Sequence, residues 1–223
     1  MRMIAAFSKL EPVKFVSHLD MQRLFQRTFR RAGLPLAYSK GFNPHPLLSF
    51  ATAISVGFTS GGEYFDVMLT EPVSPEEFTE RVNAVLPEGV KITSAVDAGE
   101  FKASLTTLMR SAEYEARLSF SEPVEKSAFE SAISSLLGGE IVVDKKTKGG
   151  IKPVDIRPML ISLELAEFSG DTAKLAIKGA LTAEGGLPLE LLFGALEGKL
   201  GVGFSRLVHR KKIEMDWSDL KNE

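Results

Sequence analysis

The chain has 223 residues, 44% of them hydrophobic and 25% charged, which is enough apolar material for one or two packed domains. It contains no cysteine, which excludes disulfides, zinc–thiolate sites and iron–sulfur clusters on this chain. No uninterrupted apolar stretch reaches the roughly 18 residues of a membrane span. We therefore expect a cytoplasmic protein with no membrane partner.

The net charge is only −2, but positive charge is concentrated in residues 1–60. This part carries eight basic side chains against two acidic ones, so its net charge is +6 and that of the remaining chain is −8. Such asymmetry is typical of a surface that faces a polyanion, most often nucleic acid. The alternative is a set of solvated basic faces that do not meet in space.

The first 98 residues predict the order strand, helix, strand, strand, helix, strand, which is the ferredoxin-like βαββαβ order. The segments that give this order are RMIAAFS (2–8), SHLDMQRLFQRTFRRA (17–32), LLSFATAISV (47–56), GEYFDVMLT (62–70), SPEEFTERVNAVLP (74–87) and GVKITSAVDA (89–98). In this arrangement two helices cover one face of an antiparallel sheet.

The helix at 17–32 is predicted with the clearest signals. Ser17 and Asp20 fit a capping box, and apolar residues follow at helical spacing. Gly33 and Pro35 then end the helix in the usual order, with glycine at the left-handed position and proline beyond it.

After a connector at 99–110, the same order of elements recurs in residues 111–223. The segments are AEYEARLSF (112–120), PVEKSAFESAISSLLGG (123–139), EIVVDKK (140–146), MLISLELAEF (159–168), DTAKLAIKGALT (171–182), LPLELLFGALEGKLG (187–201) and RLVHRKKIEM (206–215). An additional segment, KGGIKPVDIRP (148–158), is predicted as a loop because it contains two glycines and two prolines. We therefore predict an α+β fold with two tandem ferredoxin-like domains, 1–98 and 111–223, each with an antiparallel sheet.

The predicted first helix has a cationic face opposite its apolar stripe. Arg23, Arg27 and Arg30 follow at i, i+4 and i+7, and Arg31 lies next to them. Arginine suits phosphate oxygens because its planar fork donates two parallel hydrogen bonds. The alternative is an ordinary solvated helix face.

The stretch SKGFNPHPLLSF (39–50) is a second candidate region. Asn43 and His45 each precede a proline, which holds both residues in an extended conformation. The segment would then present Phe42 for stacking on a base, with Asn43, His45 and Lys40 available for hydrogen bonds to base edges or phosphate. The alternative is a rigid corner in which Phe42 packs inward.

The histidines allow an enzymatic alternative. His18 and His45 would act as an acid–base pair in a metal-independent nuclease or transferase, with Asp20 orienting one of them. No two histidines have a short metal-ligand spacing, and no Walker loop, dinucleotide fingerprint or nucleophile elbow is present, so we predict no metal and no cofactor.

The residues just described resemble a known bacterial family, the radical-SAM-linked proteins of unknown function. The motifs that carry this resemblance are SHLD (17–20), RRAGLP (30–35), GFNPHP (41–46), GEY (62–64), VDIRPML (154–160) and the late HR at 209–210. Members are similar to segments that are fused to, or encoded beside, B12-binding radical SAM proteins. The resemblance therefore implies such a protein as a partner.

Our leading hypothesis is a non-catalytic accessory that binds RNA, presents it for modification and docks a radical SAM partner. The predicted RNA-binding residues are Arg23, Arg27, Arg30, Arg31, Lys40, Phe42, Asn43 and His45. The alternatives are the His18/His45 enzyme and a protein-interaction module that binds no RNA, in which SHLD and GFNPHP form a folding corner.

Overall fold

The computed structural model describes residues 1–147 and 149–218. The fold is a mixed α+β one with a large, mostly antiparallel sheet and, among the described residues, five α-helices. None of the described helices is long and apolar enough to cross a membrane. The chain forms two compact units: Met1–Met109 joined by the stretch from Arg210 onward, and Arg110–His209.

The first unit contains the predicted order of elements. These are β1 (Arg2–Lys9), α1 (His18–Arg31), β2 (Leu48–Phe50), β3 (Thr59–Met68), α2 (Pro75–Asn83) and β4 (Val90–Asp97), followed by the short helix α3 (Leu105–Leu108). β1 lies between β3 and β4, and β2 pairs with the other edge of β3, all antiparallel. The spatial order is therefore β4-β1-β3-β2.

The prediction for α1 is confirmed. The Ser17 hydroxyl accepts a hydrogen bond from the Asp20 amide at 3.2 Å, which satisfies one of the free amides at the helix start. Gly33 follows the helix with φ +63, a conformation that costs glycine little and other residues more.

The apolar stripe of α1 packs on the sheet through an aromatic cluster. Phe25 and Phe29 of α1 are fully buried and contact Phe65 of β3, with ring centroids 4.9 and 5.5 Å apart. Phe7 of β1 lies 4.9 Å from Phe25, edge to face, and Phe78 of α2 completes the cluster. These contacts fix α1, and with it the arginines on its outer face, against the sheet.

The second unit consists of a sheet, two helices and a separate hairpin. Its elements are β5 (Met109–Phe120), α4 (Lys126–Leu137), β6 (Val142–Thr147), β7 (Gly150–Asp155), β8 (Leu160–Ser169), β9 (Thr172–Thr182), β10 (Gly185–Gly186), α5 (Leu189–Leu200) and the first part of β11 (Phe204–Met215). β9 pairs antiparallel with β5, β8 and β10, and β11 lies beside β5.

One predicted loop is wrong. The whole segment KGGIKPVDIRP is predicted as a loop, but Gly150–Asp155 forms the strand β7, which pairs with β6 in a two-stranded sheet. Lys148 lies outside the described residues. Pro153 pairs with Asp144 in a strand that has one open edge, and proline within sheets is found mainly in such edge strands.

The units also differ from the predicted segments at two places. The stretch 99–110, predicted as a connector, contains α3, whose Leu105 and Leu108 are buried. The end of β11, assigned from the sequence to residues 111–223, belongs to the first unit from Arg210 onward.

Candidate nucleic-acid interface

The four arginines of α1 are all exposed, but their surroundings differ. Arg23 forms an ion pair with Asp20 at 3.0 Å, and Arg30 donates to the Tyr38 hydroxyl at 3.4 Å. Arg31 donates to the backbone carbonyl of Val85. No side-chain hydrogen bond or ion pair involves Arg27 within the described part of the chain, which leaves its guanidinium available to a ligand.

The loop after the helix is closed by one pair of residues. The Ser39 amide donates to the His45 carbonyl at 2.9 Å, and the His45 amide donates to the Ser39 hydroxyl at 3.1 Å. The same hydroxyl lies 2.9 Å from Nδ1 of His45, and Tyr38 pairs with Pro46 beside it. These contacts define residues 39–45 as the Ser39–His45 loop, which is held shut at its base.

The tip of the Ser39–His45 loop is fully solvent-exposed. Phe42 has a relative exposure of 104%, so its ring touches almost nothing in the protein, and the interpretation that it packs inward is wrong. Lys40 and Asn43 on either side are exposed as well. Gly41 has φ +121, which a side chain would disfavour, and this turn gives the tip its shape.

The loop and α1 belong to one surface through Tyr38. Tyr38 is 43% exposed, and its hydroxyl accepts the hydrogen bond from Arg30. Tyr38 directly precedes the loop, so this contact connects the cationic face of α1 to the base of the loop that carries Phe42. We call the set Arg23, Arg27, Arg30, Tyr38, Lys40, Phe42 and Asn43 the arginine–phenylalanine surface.

The two histidines of the enzymatic alternative make separate contacts in the protein. His18 lies 3.4 Å from the Gln22 amide nitrogen and packs edge to face on Phe50, whereas His45 contacts Ser39. Among the described residues, no hydrogen bond or ring contact joins the two histidines. Asp20 accepts hydrogen bonds from Ser17 and Arg23, which lower its pKa, and among the described residues it forms no hydrogen bond with either histidine. Within the described ranges, no group of three histidine or acidic residues is placed to hold a metal ion.

A buried charged cluster was not predicted. Both carboxylate oxygens of Glu63 accept from Nη1 of Arg210 at 2.9 Å, and the two side chains are only 3% and 6% exposed. Lys9 is fully buried nearby and donates to the Lys14 carbonyl at 2.8 Å. Burial lowers the pKa of Lys9, and the negative charge of Glu63 partly opposes that effect.

This charged cluster adjoins the start of α1. Lys9 and Glu63 line a small cavity together with Ser17, His18 and Thr52. The only signal for it in the sequence was the alternation of β3, which puts Glu63 on the same face as the buried Phe65 and Val67. The charged cluster therefore lies next to the SHLD segment at the start of α1.

The fold is similar to that of chains in three solved complexes, at low sequence identity. A chain in the crystal structure of a Cbf5–Nop10–Gar1 complex is 11% identical with a TM-score of 0.57, and the match covers 95% of this chain and 48% of that one. A chain of the archaeal box H/ACA sRNP Nop10–Cbf5 complex is 10% identical with a TM-score of 0.51, with 93% and 46% covered.

A third solved structure matches with similar sequence identity and coverage. It is a chain in the structure of an H/ACA RNP bound to a substrate RNA containing 2′-deoxyuridine, 10% identical with a TM-score of 0.54, with 93% and 46% covered. This chain thus spans about half the length of the solved chains it matches. At such identities the likeness establishes the fold alone.

The sequence itself places the chain in a bacterial family. It belongs to DUF2344, described as an uncharacterized protein conserved in bacteria, which matches residues 2–187. The predicted membership of an uncharacterised bacterial family is confirmed, and the link to radical SAM proteins stays a prediction. No curated protein sequence matches the chain.

Proposed function

We propose that this protein is a non-catalytic accessory that binds single-stranded RNA through the arginine–phenylalanine surface. The observation that carries the proposal is the full exposure of Phe42 at the tip of a loop that is closed by Ser39 and His45. An exposed phenylalanine on a floppy loop would gain little from a base, because ordering the loop costs conformational entropy. Here the Ser39–His45 contacts already close the loop at its base, so less conformational entropy is lost when Phe42 stacks on a base.

The cationic face of α1 supplies the second part of the interaction. Arg27 has an uncommitted guanidinium, and Arg23 and Arg30 are exposed beside it. Backbone phosphates neutralised by these arginines would release counterions, which makes the affinity fall as salt rises. Aromatic stacking with a basic groove is the usual combination in proteins that bind single strands with little sequence preference.

His45 has a structural part in this proposal. Its backbone and ring contact Ser39, so it holds the Ser39–His45 loop closed. Arg31 is directed to the Val85 carbonyl and supports the packing of α1. Of the eight residues predicted to bind RNA, these two therefore act mainly by positioning the others.

The structures with a similar fold also support the proposal of RNA binding. Two of these structures are H/ACA ribonucleoproteins, and one of the two contains a substrate RNA. The proposal for this chain is the more general one of RNA binding.

The test is retention of a single-stranded polyuridine oligonucleotide on a filter, across a salt series. Replacing Phe42→Ala should weaken binding by roughly 5- to 150-fold, the loss expected for about 1–3 kcal/mol of stacking. Phe15→Ala is the matched control, because Phe15 is 73% exposed but lies outside the arginine–phenylalanine surface. Equal affinities for the Phe42→Ala variant and the wild type would contradict the proposal.

Charge reversal tests the helix face separately. Arg27→Glu should weaken binding and lower the slope of log affinity against log salt by about 0.7 for each lost phosphate contact. Arg117→Glu changes the net charge equally at an exposed position of β5 and should leave the slope unchanged. An equal loss in both variants would indicate a general effect of net charge.

We also propose a partner and a repeated fold. The proposal of a B12-binding radical SAM protein as partner rests on the sequence resemblance and is tested by co-purification of the two proteins after co-expression.

Two ferredoxin-like repeats are supported by matching strand orders: β4-β1-β3-β2 in the first unit and β11-β5-β9-β8 in the second. In this interpretation the β6–β7 hairpin is an insertion in the second repeat.

A further inference from the structure

The first unit has a second binding candidate, an apolar pocket of about 270 Å³ on the other face of its sheet. Side chains of β1 alternate, so Met3, Ala5 and Phe7 join the core beneath the helices. Ile4 and Ala6 point the opposite way and form the floor of the pocket. The pocket is therefore separate from the arginine–phenylalanine surface, which includes the outer face of α1.

The pocket exists because small residues lie beside a large aromatic one. Ala6 pairs with Tyr64 of β3 on one side and with Ser94 of β4 on the other. Cross-strand partners share a face, so the Tyr64 ring stands next to two small side chains and leaves a depression. Ile4 and Val96 form the next pair along the same face.

Trp217 closes one side of the depression. Its ring lies edge to face with that of Tyr64, with centroids 5.7 Å apart and planes at 64°. The preceding residue is anchored, because the Asp216 amide donates to the Leu108 carbonyl at 2.8 Å. The two rings thus form a fixed aromatic corner above an aliphatic floor.

The dimensions and chemistry of the pocket select its ligand. Ligand pockets begin at about 300 Å³, so this one suits a single small ring system better than a drug-sized molecule. Aromatic walls favour a flat π-system, which can stack on one ring and meet the edge of the other. The Ser94 and Tyr64 hydroxyls add hydrogen-bonding groups to the lining. Burial raises the pKa of Tyr64 above its ordinary value.

We infer that the Tyr64–Trp217 pocket binds one unpaired nucleobase. The choice of a nucleobase among flat heterocycles rests on the proposed RNA-binding function. A free nucleoside and a base splayed out of an RNA strand present the same ring, so both are tested.

The sequence offers a direct probe, because Trp217 is the single tryptophan of the chain. Its emission is followed during titration with adenosine, with uridine, with ribose and with a single-stranded polyuridine oligonucleotide. We expect saturable quenching by a nucleoside with a dissociation constant of about 1 mM or tighter, the range for a ligand of this size, and no response to ribose. The absence of saturable quenching by every base-containing probe would overturn the inference.

The second experiment fills the Tyr64–Trp217 pocket with a larger side chain. Ser94→Leu places a larger side chain in the depression and should weaken nucleoside binding at least tenfold. Lys91→Leu adds the same side chain elsewhere on β4 and should not. Val96→Phe is a second filling variant, used if circular dichroism shows that Ser94→Leu is unfolded. Unchanged affinity in a folded filled variant would overturn the inference.

The two proposals fail separately. Quenching by a nucleoside without retention of polyuridine on filters would support the nucleobase pocket and contradict the proposed RNA-binding function. Retention of polyuridine without quenching by any probe would support the RNA-binding function and contradict the nucleobase pocket. Quenching by the oligonucleotide that Ser94→Leu abolishes would identify a base of the RNA strand as the ligand, whereas quenching by nucleosides alone would identify a free nucleoside.

Discussion

Glu63 accepts two hydrogen bonds from a single nitrogen of Arg210, although 147 positions separate the two residues in the sequence. Both side chains are almost completely buried. A buried ion pair gains little over apolar residues of similar size, but losing one partner leaves the other charge buried and uncompensated.

The first prediction follows from this asymmetry. Glu63→Leu alone should lower the free energy of unfolding by about 3–5 kcal/mol, whereas Glu63→Leu with Arg210→Met should cost clearly less. Urea unfolding measures both. The exposed pair Lys126–Glu130 is the control, since removing it should cost less than about 1 kcal/mol. A double variant as unstable as the single one would contradict this account.

The second prediction concerns Lys9 and pH. Burial lowers its pKa below the unfolded value of 10.5, so the unfolded chain binds more protons than the folded one between these two values. The free energy of unfolding therefore receives a contribution that rises with pH through that window. Below the window the cost of burying the charged amine is fully present; above 10.5 it is gone.

The quantity to measure is the difference in the free energy of unfolding between the Lys9→Met variant and the wild type, as a function of pH. Lys9→Met should remove this rising contribution, so the stability of the variant relative to the wild type should decrease as pH approaches 10.5. Lys91→Met, at an exposed position of β4, corrects for other groups that titrate there. A constant difference across the window would show that Lys9 is not desolvated.

The third prediction concerns the helix cap. Ser17→Ala removes the hydrogen bond to the Asp20 amide and should cost about 1 kcal/mol. Ser104→Ala is a suitable control, since Ser104 precedes α3 without a side-chain capping bond. Thermal unfolding of both variants distinguishes a lost cap from a general effect of replacing serine.

The fourth prediction connects loop closure to binding. Ser39→Ala removes both side-chain contacts to His45 and should make the Ser39–His45 loop more mobile. Affinity for polyuridine should then fall, although the proposal gives Ser39 no contact with RNA. Ser49→Ala, at an exposed position of β2, is the control. Full affinity in the Ser39→Ala variant would mean that closure does not contribute.

Local features were the predictable ones. The cap at Ser17, the buried stripe of α1 and the glycine stop at Gly33 depend on neighbouring residues, and all three are confirmed. Features that depend on distant pairing were missed: the contact of Glu63 with Arg210, and β7, where the glycine and proline signals outweighed the pairing with β6. The candidate surface lies between these cases, because the prolines indicated a stiff segment but not the Ser39–His45 contacts that close it.

The late position of Arg210 also affects how the chain folds during synthesis. Translation proceeds from the amino end, so Glu63 emerges from the ribosome long before Arg210 exists. Throughout that interval the carboxylate must stay hydrated, and the core around it cannot close completely without an uncompensated buried charge. Contacts of such long sequence separation slow folding. We therefore expect nascent chains that end before Arg210 to be sensitive to proteases and dependent on chaperones.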